Sequence, residues 1–249
     1  MRLPFLDRAE GNALLGSFLR RAEGGLAVLY GRRRCGKSRL LHEALRGRRS
    51  VYYVGDDREG VLQRAALAVE IGRLVPGFAD VRYPDWEALL TRWWRDAPRG
   101  AALALDEFPA LVASDPALPS VLQKILDGAG CRGPRLLLSG SSQRLMQGLV
   151  LDRTAPLFGR AREILRISPL PAGWITEALG LRDDVRAVEA YSAWGGVPRY
   201  WELAAEYRAL LPALEELVLS PLGVLHDEPR RLLLDDLREA AQPLSVLAL

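Results

Sequence analysis

The chain has 249 residues, 49% of them hydrophobic and 26% charged, and a formal net charge of +3. These values are typical of a soluble globular protein that buries a sizeable core. No apolar run approaches the ~18 residues of a membrane-spanning helix, and the first residues lack the apolar centre of a signal peptide. We therefore expect a cytoplasmic protein.

Cysteine and histidine are too scarce to build a metal cluster, since the chain has two of each. Cys35 lies inside the glycine-rich segment described next, where a disulfide would block a ligand, which agrees with a reducing compartment. We interpret His42 and His226 as surface or packing residues rather than as metal ligands.

The most informative segment is residues 31–38, which reads Gly-Arg-Arg-Arg-Cys-Gly-Lys-Ser. It fits the phosphate-binding pattern G-x-x-x-x-G-K-[ST] at every fixed position. The apolar run at residues 26–30 predicts a buried strand before it, and leucines at helical spacing in residues 40–45 predict a helix after it. Strand, glycine loop and helix are the context that this motif requires, so the sequence predicts binding of ATP or GTP.

Each residue type in the loop has a chemical reason to be there. Gly31 and Gly36 allow the backbone N–H groups to point inward at a phosphate, and the start of the following helix adds its own unpaired N–H groups. Lys37 can reach the β- and γ-phosphates as a compact cation. The hydroxyl of Ser38 can take one coordination position on Mg²⁺.

Cys35 stands at the start of the loop's helix and beside arginines. Positive charge stabilises a thiolate, so the sequence predicts that this thiol is more acidic than a free cysteine and reacts readily when the loop is empty.

The next elements are predicted from hydrophobic spacing. Residues 51–54 read as a strand, and residues 67–74 have the spacing of an amphipathic helix. Asp85 is the predicted N-cap of a helix that carries Trp86, Trp93 and Trp94. We interpret these aromatic residues as core packing or a covering flap rather than a platform for stacking bases.

A second motif is the apolar run at residues 101–105 followed by Asp106 and Glu107. A strand that ends in acids delivers them to the edge of the sheet where α/β proteins bind ligands. Asp106 is predicted to hold Mg²⁺, directly or through water. Glu107 is predicted to activate the attacking water as a general base.

Further strands are predicted at residues 136–138 and 164–167, with a helix around residues 118–125 between the acids and the first of them. Alternating strands and helices imply an α/β fold with a parallel sheet and flanking helices, the architecture of P-loop NTPases. After residue 170 the apolar spacing is helical throughout. We predict an α/β core over residues 1–170 and a helical lid over residues 171–242.

Six segments, in order along the chain, resemble the archaeal-type AAA+ ATPases, a prokaryotic group allied to the signalling and origin-recognition branches of that superfamily. The segments are Phe5-Leu6-Asp7-Arg8-Ala9-Glu10, the phosphate loop with Tyr30, Asp106-Glu107-Phe108-Pro109, Ser139-Gly140-Ser141-Ser142, Pro156-Leu157-Phe158-Gly159-Arg160 and Gly195-Gly196-Val197-Pro198-Arg199-Tyr200. The resemblance covers nearly the whole chain, although Ala9 stands where the family usually has Glu.

The resemblance implies ATP rather than GTP as the nucleotide, and it implies roles for residues outside the two motifs. Arg8 would lie near the adenine, Ser141 or Ser139 would sense the γ-phosphate, and Arg160 and Arg199 are candidates for an arginine that contacts it. Arg199 would also couple the lid to the nucleotide state. The full set of nucleotide-binding candidates is Arg8, Gly31, Arg32, Arg33, Arg34, Cys35, Gly36, Lys37, Ser38 and Arg39.

The family usually continues into a winged-helix domain. Residues 243–249 are similar to the opening of that domain, after which the sequence stops. This similarity predicts a truncated chain or a shortened gene.

Together these features predict a Mg²⁺-dependent ATPase that acts as a nucleotide-driven switch on an unidentified protein or nucleic-acid partner, without a membrane partner. Residues 1–50 hold 12 basic and 4 acidic residues, an excess that suits a bound nucleotide and, secondarily, nucleic acid. One alternative is a nucleotide-gated DNA- or protein-binding module with little hydrolysis. Another is a small P-loop kinase. Arg160 could act in trans, so a homo-oligomer is a further expectation.

Overall fold

The structure, a computed structural model, describes residues 3–129 and 133–236, which form two compact units. The sheet unit contains residues 9–31 and 36–167, and the helical unit contains residues 3–8, 32–35 and 168–236. The domain limits proposed from the sequence stay a prediction. Cys131 and the proposed winged-helix segment at residues 243–249 lie outside the described residues.

The sheet unit is built on five parallel strands in the order β2-β3-β4-β1-β5, which confirms the predicted α/β fold with a parallel sheet. The strands are β1 Gly25–Tyr30, β2 Ser50–Val54, β3 Ala102–Asp106, β4 Arg135–Gly140 and β5 Ala161–Arg166. In each case a strand was predicted from a short apolar run or from alternating apolar residues, and the observed strand extends beyond or shifts by a few residues. Buried parallel strands need apolar residues on both faces, which explains why continuous apolar runs signalled them.

Seven α-helices flank or connect the strands in the described part of the sheet unit. They are α1 Ala9–Arg20, α2 Lys37–Leu45, α3 Gly60–Gly72, α4 Trp86–Asp96, α5 Phe108–Ser114, α6 Leu118–Ala129 and α7 Gln143–Met146, the last of which continues into a π-helical turn, Gln147–Leu151. Helix α3 ends two residues before Leu74, which the spacing had included in the predicted helix.

The strand order matters for function because β4 lies between β1 and β3. Every residue of β3 and β4 is buried, as are the four central residues of β1. In a parallel sheet all carboxyl ends meet at one edge. The loops that follow β1, β3 and β4 therefore leave the sheet side by side.

The tryptophans of α4 pack into the core, which confirms the predicted packing role. Trp86 and Trp93 are fully buried and join one cluster with residues of α3, α6 and one face of the sheet. Trp94 packs against the same cluster as a partly buried residue. These side chains hold helices onto the sheet by burial of large apolar surface.

Asp85 is the N-cap of α4, as predicted. Its backbone is extended, and its carboxylate Oδ1 accepts a hydrogen bond of 2.8 Å from the N–H of Ala88. This bond satisfies one of the backbone donors that the first turn of a helix leaves unpaired.

The helical unit contains no strand among its described residues. It holds α8 Ile175–Leu179, α9 Asp184–Trp194, α10 Pro198–Ala204, α11 Leu210–Leu214 and α12 Glu228–Asp236, with a 3₁₀ turn at Ala172–Trp174 and a π-helical turn at Glu215–Leu219. Its own core gathers Ile175, Trp194 and Trp201 around Leu3 and Leu6. Across both units, none of the helices between residues 3 and 236, apart from the undescribed residues 130–132, is long and apolar enough to cross a membrane.

Replacing Asp85 by Ala should lower the free energy of unfolding by about 1 kcal/mol, because the N–H of Ala88 loses its partner. Urea unfolding followed by tryptophan fluorescence measures the change. Asp85→Asn is the matched control, since asparagine keeps a capping oxygen and should stay close to the parent. Equal stability of Asp85→Ala and the parent would show that the cap does not support α4.

Candidate functional site

The phosphate loop links β1 to α2, and two glycines give it its shape. Gly31 has φ +153°, and a Cβ atom there would stand 2.1 Å from the carbonyl oxygen of Ile167. Gly36 has φ +92° and directly precedes α2, with no side chain capping the helix. Both positions favour glycine for backbone reasons, and the uncapped start of α2 leaves backbone N–H groups for an anion.

Lys37 begins α2 and is almost completely buried, with 4% of its surface exposed. Its Nζ donates a hydrogen bond of 2.8 Å to the carbonyl oxygen of Gly31, so the ammonium group lies against the loop. The chain has 34 basic residues but only two lysines, and the other one, Lys124, is exposed. Lysine differs from arginine in being a compact point charge, which suits a cation enclosed by a phosphate loop.

Asp106 ends β3 and is buried, with 1% of its surface exposed. Three donors surround its carboxylate. Oδ2 accepts hydrogen bonds from Ser38 Oγ at 2.5 Å and from the hydroxyl of Tyr52 at 2.6 Å, and Oδ1 accepts from the N–H of Glu107 at 3.0 Å. The predicted pair of Ser38 and Asp106 is thus in direct contact.

Tyr52 lies on β2, and no motif in the sequence marks it as a site residue. Burial, and then its hydrogen bond to Asp106, raises the pKa of the Tyr52 hydroxyl above its ordinary value, so the phenol remains a proton donor. Tyr52 stands in a strand that is distant in sequence from both motifs, so its position in the chain does not indicate a role at the site. Only the pairing of β2 with β3 brings the two side chains together.

Glu107 follows Asp106 and has a left-handed backbone, with φ +49°. Its Oε2 accepts a hydrogen bond of 2.9 Å from Ser141 Oγ, and the N–H of Ser141 lies 3.3 Å from the same oxygen. Ser139, the alternative serine, is fully buried in β4, and its hydroxyl has no hydrogen-bond partner in the described part of the chain. Of the two serines, only Ser141 is joined to the predicted base.

The donors on this edge suit a magnesium ion. A hydroxyl and a carboxylate oxygen are hard ligands, and Mg²⁺ is commonly held by one or two protein oxygens together with phosphates and water. Residues 3–129 and 133–236 contain no group of three or more His, Cys, Asp or Glu side chains placed to hold a metal. Ser38 and Asp106 supply one hydroxyl oxygen and one carboxylate oxygen in direct contact.

Residues 32–35 of the loop group with the helical unit. Within that unit, Arg8 Nη2 donates hydrogen bonds to the carbonyl oxygens of Cys35, at 3.1 Å, and Ser168, at 2.7 Å. The side chain of Cys35 is completely buried. The prediction of a readily reactive thiol is therefore wrong, because a buried sulfur is closed to reagents whatever its neighbouring charges.

Arg34 has φ +63°, and its Nη1 lies 2.6 Å from Oε1 of Glu228 at the start of α12. The same oxygen accepts a hydrogen bond of 2.7 Å from the hydroxyl of Tyr200. Glu228 is buried. Burial of Tyr200 itself, and then its hydrogen bond to Glu228, raises the pKa of the Tyr200 hydroxyl. No local pattern in the sequence marks Glu228, because its contact with Arg34 joins residues nearly 200 positions apart.

The two arginines proposed to contact the γ-phosphate make other contacts. Arg160 forms a two-pronged pair with Asp127, with Nε–Oδ1 and Nη2–Oδ2 distances of 2.8 Å. Arg199 pairs with Glu202 one turn away on α10, at 3.2 Å. Their proposed roles stay predictions. Arg32 and Arg33 lie in the loop and Arg39 lies in the first turn of α2.

Comparison with known proteins gives relatives at low identity. No protein-family model matches the chain. An uncharacterized protein of Methanocaldococcus jannaschii is 28% identical over 199 residues, which are 80% of this chain and 43% of that protein. The chain thus spans less than half the length of this curated relative.

Solved structures are similar over most of the chain. The Walker-type ATPase of Pyrococcus abyssi has a TM-score of 0.67 at 19% identity, covering 91% of this chain and 76% of that one. The ORC2 protein of Aeropyrum pernix in its ADP form has a TM-score of 0.59 at 16% identity, with coverage of 82% and 63%. The ORC1 protein of the same organism, solved in complex with DNA, has a TM-score of 0.52 at 20% identity, with coverage of 94% and 63%.

These neighbours are a Walker-type ATPase and two ORC proteins, which agrees with the sequence resemblance to the archaeal-type AAA+ ATPases. Their similarity lies in the five-stranded parallel sheet with flanking helices rather than in residue identity. The chain has the fold of the P-loop ATPases.

Proposed function

We propose that this protein is a member of the archaeal-type AAA+ ATPases that binds ATP with Mg²⁺ and hydrolyses it. The observation that supports this most strongly is the set of contacts at the carboxyl edge of the sheet. Three neighbouring strands end there. After β1 come a buried lysine, Lys37, and the hydroxyl of Ser38, which is bonded to the buried carboxylate of Asp106 at the end of β3. The next carboxylate, that of Glu107, is bonded to Ser141, which follows β4.

The loop and α2 bind the phosphates. Backbone N–H groups of residues 31–38 and the positive end of α2, which is nine residues long, favour an anion. Lys37 supplies the formal positive charge. In this structure Lys37 Nζ is bonded to the oxygen of Gly31, and on binding it exchanges that neutral partner for phosphate oxygens, which gives a stronger charge-assisted bond.

Ser38 and Asp106 hold the magnesium ion. When bound, Mg²⁺ neutralises charge on the β- and γ-phosphates and orients them for in-line attack. The protein's part is to keep a hydroxyl oxygen and a carboxylate oxygen close together, which the 2.5 Å contact between Ser38 Oγ and Asp106 Oδ2 already does.

Glu107 takes the proton from the attacking water. Its carboxylate is held by Ser141, so one oxygen is oriented while the other remains to accept a proton. The left-handed backbone at Glu107 is uncommon for a residue with a Cβ atom, and backbone strain of this kind concentrates at functional positions. Ser141, which is hydrogen-bonded to Glu107, is the polar group that would contact the γ-phosphate and so couple its presence to the orientation of the base.

Nucleotide occupancy would act on a partner through the helical unit. In that unit the loop residue Arg34 pairs with Glu228, which also accepts a hydrogen bond from Tyr200. A movement of the loop backbone would therefore displace the start of α12. The partner is a protein or a nucleic acid. DNA is the nucleic acid to test first, because a solved neighbour is described in complex with DNA.

Lys37→Ala should abolish ATP binding, because the phosphate charge loses its only buried lysine partner in the loop. Calorimetric titration with a non-hydrolysable ATP analogue measures the affinity. Lys124→Ala is the matched control, since it removes the other lysine, which is exposed and pairs with Glu87 on the surface. Unaltered affinity in Lys37→Ala would contradict the assignment of the loop.

Glu107→Gln should keep ATP affinity and lose most of the turnover, about 100-fold or more, because the amide keeps the shape of the side chain but cannot accept the proton. Phosphate release is measured across protein concentrations, with and without DNA, since a second copy or a partner can supply an activating group. Turnover at the parent rate would show that Glu107 is not the base. No hydrolysis by the parent under any condition would favour a nucleotide-gated binding module.

Glu228→Gln should leave ATP affinity nearly unchanged but reduce the transmission of nucleotide state to α12, because the amide weakens the pair with Arg34. Hydrogen–deuterium exchange of peptides covering Glu228–Asp236, with and without Mg-ATP, measures that transmission. Glu202→Gln is the control, since Glu202 forms only a local pair with Arg199. An ATP-dependent difference of parent size in Glu228→Gln would rule out this link.

A further inference from the structure

The hydroxyl of Tyr52 contacts Asp106 at the acidic edge, and the proposed chemistry gives it no role. Its oxygen lies 2.6 Å from Asp106 Oδ2, the same carboxylate oxygen that Ser38 Oγ reaches at 2.5 Å. With the N–H of Glu107 on Oδ1, three donors fix the plane of the carboxylate. A carboxylate has about four lone-pair sites, so little freedom of rotation remains.

The sheet register makes this contact a consequence of the fold. Tyr52 lies opposite Ala104, and Val54 lies opposite Asp106, on the paired strands β2 and β3. Tyr52 and Asp106 are therefore two residues apart along the strand direction and on one face, about 7 Å from the strand rise. A tyrosine side chain spans that distance and a shorter side chain does not.

The ring of Tyr52 is itself held in place. His42, on α2 after the phosphate loop, packs against it with ring centroids 4.1 Å apart and planes at 42°. The hydroxyl group thus has a fixed direction set by α2 as well as by β2. The loop's own helix contributes to the orientation of the carboxylate on β3.

We propose that Tyr52 is a positioning residue that holds the Asp106 carboxylate beside Ser38, so that the magnesium ligands are already arranged before the metal binds. This rests on the proposed function. Groups that orient a metal ligand commonly change metal affinity about 10- to 100-fold when they are removed. The effect of Tyr52 should accordingly fall on the metal and leave the contacts between the loop and the phosphates intact.

The adjacent residue offers a matched control. Tyr53 carries the same hydroxyl on the same strand, but it is buried in the apolar core cluster of the sheet unit. Tyr53→Phe removes an identical group one residue away and outside the hydrogen-bond set of Asp106.

The test is calorimetric titration with ADP in EDTA and at a series of Mg²⁺ concentrations. For Tyr52→Phe, the Mg²⁺ concentration that gives the half-maximal increase in ADP affinity should rise about 10-fold, while the affinity in EDTA stays at the parent value. Tyr53→Phe should match the parent in both conditions. Far-UV circular dichroism of each variant reports folding independently of the ADP affinity.

A double-variant cycle shows whether the effect passes through the carboxylate. Asp106→Asn alone should raise the Mg²⁺ requirement, and adding Tyr52→Phe to Asp106→Asn should raise it by less than 2-fold further. A full 10-fold effect of Tyr52→Phe in the Asp106→Asn background would overturn the proposal, because Tyr52 would then act elsewhere.

The remaining outcomes also decide the question. A parent-like Mg²⁺ requirement in Tyr52→Phe, or a lower one, would overturn the positioning role, the latter because the hydroxyl would then compete with the metal for Oδ2. Loss of ADP affinity in EDTA would overturn it too, since Tyr52 would then support the loop. If the parent binds ADP neither with nor without Mg²⁺, the proposed function fails, and this inference fails with it.

Discussion

A buried carboxylate is stable only when hydrogen bonds satisfy it, and Asp106 shows how far the sheet unit is organised by that requirement. Its three donors come from α2, from β2 and from the backbone of the next residue. These hydrogen bonds hold the start of α2 and the middle of β2 against the end of β3. The elements that carry the proposed site are thus tied by the same contacts that make the buried charge tolerable.

The position of β4 between β1 and β3 is the second condition. Because β4 ends between the phosphate loop and the acids, the serine that follows it can reach Glu107, and the hydrogen bond between Ser141 and Glu107 joins neighbouring strand ends. The sheet order therefore brings Ser141 to the proposed base.

Residues 32–35 of the loop belong to the helical unit. Three non-glycine residues of the described chain have positive φ, and two of them, Arg34 and Glu107, lie in the loop and in the acid pair. Strained backbone at such positions persists only where surrounding contacts hold it. For Arg34 the holding contact is Glu228, which is buried and also bound by Tyr200, so the loop conformation depends on a residue close to the end of the described chain.

The sequence by itself determined the α/β class, the strands, the cap at Asp85, the glycine loop between β1 and α2 and the position of the two acids at the end of β3. Each of these features depends on residues close together in the chain or on spacing that a buried strand or helix imposes. The sequence did not reveal Tyr52 or Glu228, and it predicted an accessible Cys35 that is in fact buried. It also left Ser139 and Ser141 as alternatives, of which only Ser141 is bonded to Glu107. These features were decided by the tertiary structure, because strand order, register and long-range pairing bring together residues whose separation in the chain leaves no local pattern.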